Sequence, residues 1–306
     1  MDINCKYGVL KGVYNSSYYE NGILAQCSVS KKCELSTVYG KMYPTFDVED
    51  DRKRVLHTIE FFENGDLKSI SLDFPLTIKN SYGEFSAEKI IFFDSGIVKK
   101  IFPLNGKISG YWSEEDEWKL AEKYKFKVGE VEFDNKIMSI SFYEDGNVKN
   151  VKLWKNESVL IKLGVETIKA IGTISFYKNG SIKSFDPEKE LKIITRFGEI
   201  TCNRKIHENI FGECDSIVFD EMGNIKKIHT LQEIFHLKLG DAILTIRQNE
   251  KTSPCNEFIK IKEPVKIEFK ENGIISFNDS YNITDINEII VEKNSQKVIN
   301  FEGCSV

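Results

Sequence analysis

The residues with the clearest chemical character lie between positions 102 and 120, where two tryptophans adjoin a run of four acids. Carboxylates attract cations or basic partners, and tryptophan side chains supply the large contact areas that dominate many protein interfaces. An alternative is a capped surface helix whose acids are solvated and whose tryptophans pack back onto the fold. We predict a binding surface made of eight residues of this segment: Asn105, Tyr111, Trp112, Glu114, Glu115, Asp116, Glu117 and Trp118.

The same acids allow a weaker, hydrolase-like interpretation near residues 114–117. Carboxylate catalysis places two acids on opposite sides of a substrate, commonly about 5–9 Å apart. Adjacent acids on one helix do not establish that arrangement, so we predict no catalytic residue. An enzyme with a site assembled from scattered residues is kept as the alternative to a non-enzymatic protein.

Cysteine and histidine occur close together in one stretch, as Cys202, His207 and Cys214. A strong zinc site pairs closely spaced cysteines and supplies four ligands. The spacing here is irregular and a fourth ligand is not evident, so we expect neither a metal nor a cofactor. No local signature marks a catalytic cysteine–histidine pair. His229 and His236 flank an apolar pair and are expected to be partly buried strand residues.

A run of mixed charge, Asp50-Asp51-Arg52-Lys53-Arg54, precedes an apolar stretch. It predicts a solvated loop, with a phosphate contact as the alternative. The sequence has no glycine-rich phosphate loop, dinucleotide fingerprint, nucleophile elbow or His-Glu-x-x-His pattern to support that alternative.

The charge composition of the chain indicates which class of molecule it binds. The 306 residues carry a formal net charge of -5 with both signs interspersed, which disfavours sequence-independent nucleic-acid binding and leaves a protein as the expected partner. The seven cysteines are scattered. The start of the chain lacks a signal-peptide pattern, and no apolar stretch approaches the roughly 20 residues of a membrane span. We therefore expect a cytoplasmic protein with free thiols and no membrane span.

One short pattern recurs along the chain and predicts the elements that position these residues. It reads one or two aromatic residues, polar residues, glycine, any residue, an aliphatic residue and often lysine. The copies cover residues 18–24, 61–68, 92–99, 142–149, 176–183, 219–226 and 269–275. Successive turn glycines are 31 to 50 residues apart, which is typical of stacked supersecondary units.

Each copy predicts a β-hairpin. Asn-Gly and Asp-Gly pairs supply the positive φ angles of a two-residue type I′ turn, and aromatic and β-branched residues suit the flanking strands. With Asn64-Gly65 as the loop, Phe62 pairs with Leu67 and Phe61 with Lys68, so that a lysine stem lies over an aromatic ring. Further strands are predicted at 76–78, 159–161 and 191–194, each followed by a glycine turn.

These elements predict an all-β fold in which tandem β-hairpin repeats form an elongated or curled antiparallel sheet or a solenoid, with two packed sheets as the alternative. Ser113 followed by four acids predicts one short helical insertion near 113–122. We expect a continuous β-repeat domain over residues 1–280, with a sub-boundary near 102–125. Residues 281–306 are weakly patterned, and no structure is predicted for them.

The aromatic-Glu-Asn-Gly-x-Leu-Lys copies resemble MORN-type repeats, especially the variant form found in bacterial proteins. That resemblance implies stacked hairpins and a binding or scaffolding role. Residues 35–230 are also similar to an uncharacterised β-repeat family of anaerobic, clostridia-like bacteria, through segments 102–117, 153–154 and 172–177. The second resemblance implies fold and bacterial source and no activity.

Repeats and the missing catalytic motifs together favour a non-enzymatic binding or scaffolding protein. A cell-surface or carbohydrate-contacting repeat module is a further alternative, because aromatic-rich β-repeats sometimes serve that purpose. The lack of a signal-peptide pattern disfavours it.

Overall fold

A computed structural model describes residues 1–46, 52–53, 56–203, 215–253 and 256–293. The fold is nearly all β, with 60% strand and 5% helix, and antiparallel hairpins link the sheets. This confirms the predicted fold class, including one short α-helix among the described residues. The chain divides into two compact units, Met1–Glu157 with Lys178–Gly180 and Ser158–Tyr177 with Ser181–Val306. Hairpins occur in both units, and the expected continuous domain over 1–280 stays a prediction.

In its described residues, the first unit contains thirteen strands and the helix α1 (Glu114–Leu120). Its strands are β1 (Ile3–Cys5), β2 (Gly8–Leu10), β3 (Val13–Tyr18), β4 (Leu24–Val29), β5 (Leu35–Thr37), β6 (Gly40–Met42), β7 (Ile59–Phe61), β8 (Leu67–Asn80), β9 (Gly83–Phe92), β10 (Val98–Phe102), β11 (Lys123–Val128), β12 (Val131–Phe142) and β13 (Val148–Leu153).

The part of the second unit that the structure describes contains fifteen strands and two 3-10 turns, Glu271–Gly273 and Ile286–Glu288. Its strands are β14 (Ser158–Leu163), β15 (Glu166–Phe176), β16 (Ile182–Pro187), β17 (Leu191–Thr195), β18 (Gly198–Cys202), β19 (Ile217–Phe219), β20 (Ile225–Thr230), β21 (Glu233–Leu239), β22 (Ala242–Ile246), β23 (Asn249–Ser253), β24 (Asn256–Glu263), β25 (Val265–Phe269), β26 (Ile275–Phe277), β27 (Tyr281–Ile283) and β28 (Ile289–Lys293).

The main sheet of the first unit is antiparallel and runs in the order β3-β4-β7-β8-β9-β10-β12-β13. Paired residues on its apolar face form one row across seven strands, and each is 0% exposed: Cys27, Ile59, Ile70, Ile90, Ile101, Ile140 and Val151. Because β-branched side chains pack well on a pleated surface, this row is the centre of the core.

The second unit repeats this arrangement in the order β14-β15-β16-β19-β20-β25-β26-β27. Its fully buried row consists of Phe185, Ile217, Ile228, Ile267 and Phe277. Strands β22, β21 and β28 form a separate three-stranded sheet. The weakly patterned C-terminal segment thus supplies β27 and β28 up to Lys293.

The repeated turns have three loop residues and not two as predicted. In the hairpin between β7 and β8, Phe61 pairs with Leu67, and the Gly65 amide donates to the Phe62 carbonyl over 2.9 Å. Gly65 has a φ of +80°, whereas Asn64 has no positive φ. The predicted register is therefore wrong by one residue, because Asn-Gly fits both a two-residue loop and a turn closed by a left-handed glycine with a bulge.

Positive φ at the turn glycines is confirmed, with 80°, 85° and 82° at Gly65, Gly146 and Gly180. The lysine-over-ring contact also occurs in three copies, but there it uses the second aromatic residue of the copy. The ammonium-to-centroid distances are 5.4 Å for Lys99–Phe93, 6.0 Å for Lys149–Tyr143 and 5.9 Å for Lys183–Tyr177.

The glycine-turn hairpins contribute aromatic rings to both cores. In the first unit, the Tyr39 ring lies 5.9 Å from Phe92, and the Tyr39 hydroxyl accepts a hydrogen bond from the Val98 amide over 3.2 Å. In the second unit, Phe197 lies 6.4 Å from both Phe235 and Phe277. The strands predicted at 76–78, 159–161 and 191–194, each followed by a glycine turn, are observed as parts of β8, β14 and β17.

The two units contain one hairpin module with the same internal hydrogen bonds at positions 158 residues apart. The Tyr19 hydroxyl donates to the Phe61 carbonyl over 2.8 Å, and the Tyr177 hydroxyl donates to the Phe219 carbonyl over 2.8 Å. The same offset relates Thr37 to Thr195, whose hydroxyls donate to the carbonyls of Gly40 and Gly198. Because the offset is constant at these positions, residues 19–61 and 177–219 have matching hairpin hydrogen bonds.

Within the described ranges, no helix has both the length and the apolar character that crossing a membrane requires.

Candidate functional site

Helix α1 begins as the sequence predicts. Ser113 is its N-cap: the Ser113 hydroxyl accepts from the Asp116 amide over 3.1 Å, and the Asp116 carboxylate accepts from the Ser113 amide over 3.2 Å. This capping box satisfies two backbone donors that a helix start leaves unpaired. Hydrogen bonds from Ser113 lower the pKa of the Asp116 carboxyl. Asp116 therefore has a structural role at the helix start.

Glu117 is buried, with 2% exposure, and is held by an arginine distant in sequence. The Arg52 guanidinium donates to Glu117 through Nε (2.8 Å) and Nη2 (2.8 Å). It also donates to Glu88 on β9 through Nη1 (3.0 Å) and Nη2 (2.7 Å). Burial alone lowers the pKa of Arg52, but the hydrogen bonds to Glu117 and Glu88 outweigh that effect and raise it above its ordinary value.

A backbone amide and an indole N–H donate the remaining hydrogen bonds to the Glu117 carboxylate. The Gly106 amide donates to Oε1 over 2.7 Å, and the Trp112 indole donates to Oε2 over 2.7 Å. Each carboxylate oxygen thus accepts from two donors, which leaves Glu117 no free position toward a substrate. A Cβ on Gly106 would lie 2.3 Å from Oε2 of Glu117, so the glycine permits this close approach.

Asn105 fixes the start of the same loop. Its amide N–H donates to Oε2 of Glu88 over 2.8 Å, and its side-chain amide donates to the Ser71 hydroxyl over 3.1 Å. Trp118 fixes the other end, because the Lys136 ammonium lies 4.2 Å from its ring and donates to its carbonyl over 2.9 Å. These contacts tie segment 105–118 to β8, β9 and β12.

The remaining predicted site residues lie at the surface. Tyr111 is 88% exposed, Glu115 is exposed and Glu114 is partly exposed. Lys119 lies 3.2 Å from Glu115 and 3.7 Å from Asp116 and neutralises part of this charge. The structure therefore separates the eight predicted residues into an internal group, which anchors the loop, and an exposed group around Tyr111, Glu114 and Glu115.

The prediction of a solvated loop at 50–54 is wrong for the two residues that the structure describes. Arg52 binds Glu88 and Glu117, and the Lys53 ammonium lies 2.8 Å from the Asp73 carboxylate. Partly buried cations persist when carboxylates neutralise them, which explains why these side chains leave the solvent. Asp50, Asp51 and Arg54 fall outside the described residues.

The cysteine–histidine stretch has one described member. Cys202 is fully buried, and its thiol donates to the Ser216 carbonyl over 3.3 Å. Burial, with smaller contributions from Asp186 and Glu233, raises the pKa of Cys202 to about 12. The thiol is therefore protonated at neutral pH, which makes it a poor nucleophile and metal ligand. His207 and Cys214 lie outside the described residues.

His229 and His236 lie in strands, as predicted. His229 on β20 is 3% exposed, and its Nδ1 lies 3.0 Å from the Asp215 carbonyl. His236 on β21 lies 3.1 Å from the Glu292 carboxylate. Among the described residues, no group of three or more His, Cys, Asp or Glu side chains is arranged to hold a metal ion.

Sequence reasoning missed Arg52 and Glu88, the two residues that organise the loop. Their separations from Glu117 leave no local pattern to detect. Glu117 itself had a detectable signal, because it lies one and four residues before Trp118 and Ala121. Positions with that spacing occupy one helical face, and Ala121 is buried.

Comparison with protein-family models gives no match for this chain. Comparison with curated proteins gives no significant match either.

Proposed function

We propose that this chain is a non-enzymatic binding protein and that the exposed part of segment 105–118 contacts a basic segment of a protein partner. The observation that carries the proposal is that Tyr111 projects, 88% exposed, from a loop held by the buried Arg52–Glu117 contact. A surface that is already fixed loses little conformational entropy when a partner binds.

The chemistry of the exposed group favours arginine or lysine on the partner. Glu114 and Glu115 supply negative charge beside the Tyr111 ring. A guanidinium group can pair with a carboxylate and stack on an aromatic face at the same time. Glu117 is left out of this surface because the fold already uses both of its oxygens.

The hairpin repeats support a scaffolding role around this surface. The recurring glycine-turn hairpins are those expected of a bacterial MORN-like repeat protein, and we extend the proposal to that class. Cys5, Cys27, Cys33 and Cys202 are free thiols, which supports a cytoplasmic location.

A photo-crosslinking amino acid in place of Tyr111 tests the proposal in cell lysate adjusted to defined salt concentrations. We expect a discrete crosslinked protein whose yield falls on Glu114→Gln with Glu115→Gln, and falls further as salt is raised. The matched control is Glu130→Gln with Glu132→Gln, which removes the same charge from an exposed hairpin of the same unit. Equal crosslinking in the two double variants would refute the proposed surface.

A further inference from the structure

Strand β22 forms one edge of the three-stranded sheet β22-β21-β28 in the second unit, and among the described residues it pairs with β21 alone. The opposite edge, β28, contains Glu292 and Lys293. In contrast, β22 reads Ala-Ile-Leu-Thr-Ile and contains neither a charged residue nor a proline. Charged residues and prolines commonly prevent the edge of a sheet from pairing with another chain. The β22 edge lacks both of these protections.

The hairpin register shows which backbone groups of β22 point away from β21. Leu239 pairs with Ala242 across a two-residue loop. Such a loop closes on a hydrogen-bonded pair, and bonded and non-bonded pairs then alternate along an antiparallel ladder. The N–H and C=O groups of Ile243 and Thr245 therefore point outward. Ile243 is 65% exposed and Thr245 is also exposed, so a second strand can reach these groups.

Opposite charges flank β22 at equal distances from its central residue. Asp241 precedes Leu244 by three residues, and Arg247 follows it by three. Both charged side chains are exposed, and in the part of the chain that the structure describes neither lies at ion-pair distance from an opposite charge. The edge is therefore complementary in charge to a second copy of itself that runs in the opposite direction.

Antiparallel pairing of two copies about Leu244 uses the charges and the backbone groups together. Asp241 of each copy then lies opposite Arg247 of the other. Ile243 lies opposite Thr245, so that the outward-facing backbone groups hydrogen-bond to one another. A register shifted by one residue would set outward-facing residues against inward-facing ones and break the ladder. A shift by two residues would lose both charge pairs, so the charges select one register.

We propose that β22 pairs with β22 of a second copy of this chain, antiparallel and about a twofold axis at Leu244. The pairing joins two three-stranded sheets into one continuous sheet of six strands. The same patch is used by both copies, as a twofold interface requires. Because the contact is small, the dimer is weak and its population depends on protein concentration. This interface goes beyond the proposed function and does not use the Tyr111 surface.

Sedimentation velocity of the full chain over a wide range of concentrations, at low salt, tests the proposal. We expect the sedimentation coefficient of the parent to rise with concentration toward that of a dimer. Asp241→Arg and Arg247→Asp each set like charges opposite one another twice, and each should weaken the dimer by about tenfold or more. The two changes shift the net charge in opposite directions, so a general charge effect would not weaken both. The double variant exchanges the charges and should dimerise as the parent does.

Ile243→Lys places a charge in the middle of the edge and should abolish dimerisation. The matched control is Ile194→Lys, which places the same charge at another exposed isoleucine of the second unit and should dimerise as the parent does. The proposal is overturned if the parent stays monomeric at every concentration, or if Ile243→Lys dimerises as strongly as the parent. It is also overturned if the double charge exchange dimerises no better than the single variants.

Discussion

At the scale of single residues, Glu117 and Glu115 are neighbouring acids with opposite roles. Glu117 lies against Arg52 and two further donors in the interior, whereas Glu115 is exposed and pairs with Lys119. The free energy of an ion pair depends strongly on how far water screens it. Chemically identical substitutions at the two positions should therefore differ in effect.

We expect Glu117→Gln to lower the free energy of unfolding by about 3 kcal/mol, because the buried guanidinium and the Gly106 amide lose acceptors. Glu115→Gln should lower it by less than about 0.5 kcal/mol. Urea unfolding of the two variants, compared at constant m value, measures the difference. Similar midpoints for both variants would contradict the buried role of Glu117.

The cysteine thiols give a prediction about reactivity. Burial raises the pKa of both Cys27 and Cys202 to about 12, so neither forms a thiolate near neutral pH. In the native protein at pH 8, we expect alkylation of these two residues to be far slower than alkylation of the partly exposed Cys5. Peptide mass mapping after timed alkylation measures the order, and a Cys202 as reactive as Cys5 would refute it.

The raised pKa values of Cys27 and Cys202 also predict how the free energy of unfolding depends on pH. A thiol whose pKa is higher in the folded than in the unfolded protein stabilises the fold fully below the unfolded value. That contribution is lost as the pH rises from about 9 toward 12. Cys202→Ala should therefore flatten part of the decline in the unfolding free energy over this alkaline range.

At the scale of elements, the hairpin turns depend on the backbone freedom of glycine. Gly65 has a φ of +80°, and a Cβ there would lie 4.0 Å from the nearest atom, so space is available for a methyl group. The cost of a side chain at this position therefore comes from the backbone and not from a clash.

Gly65→Ala should destabilise the protein by about 1–2 kcal/mol, the usual penalty for an L-residue in the left-handed region. Glu63→Ala, in the same loop and without positive φ, is the control and should have little effect. Thermal unfolding of the two variants provides the measurement. An unchanged melting temperature for Gly65→Ala would argue against the three-residue turn.

The elements themselves were largely predictable, since strands, turn glycines and the helix cap are encoded within a few residues. The hairpin register was not, because Asn64-Gly65 satisfies two loop lengths and only the pairing of whole strands distinguishes them. The contact between Arg52 and Glu117 was not predictable either. It forms between segments that come together only after the sheet has folded.

At the scale of the whole molecule, the balance of elements is directly measurable. Strand accounts for 60% and helix for 5% of the structure. Far-ultraviolet circular dichroism should therefore show a β-dominated spectrum with helix below about 10%, compared with the usual ~30–35%. A spectrum with ordinary helix content would contradict the repeat architecture.

The hydrogen bonds that recur 158 residues apart permit a comparison between the two units. Thr45 donates its amide to the Ser71 carbonyl, and Asn203 makes the same bond to the His229 carbonyl. The backbone hydrogen bond is therefore the same in both units, whereas the side chains at these positions differ. A Thr or Ser in the first unit corresponds to an Asn or His in the second.

The ribosome synthesises a chain from its N-terminus. The order of strands in each main sheet follows that direction. In each main sheet a strand pairs with the one before it, apart from the hairpins that branch off between them. Hairpins close in about 1–10 μs, whereas about 5–20 residues are added each second. Each newly synthesised strand can therefore pair with the edge strand of the sheet already formed. The rate of translation, and not the rate of hairpin closure, then limits how fast the sheet forms.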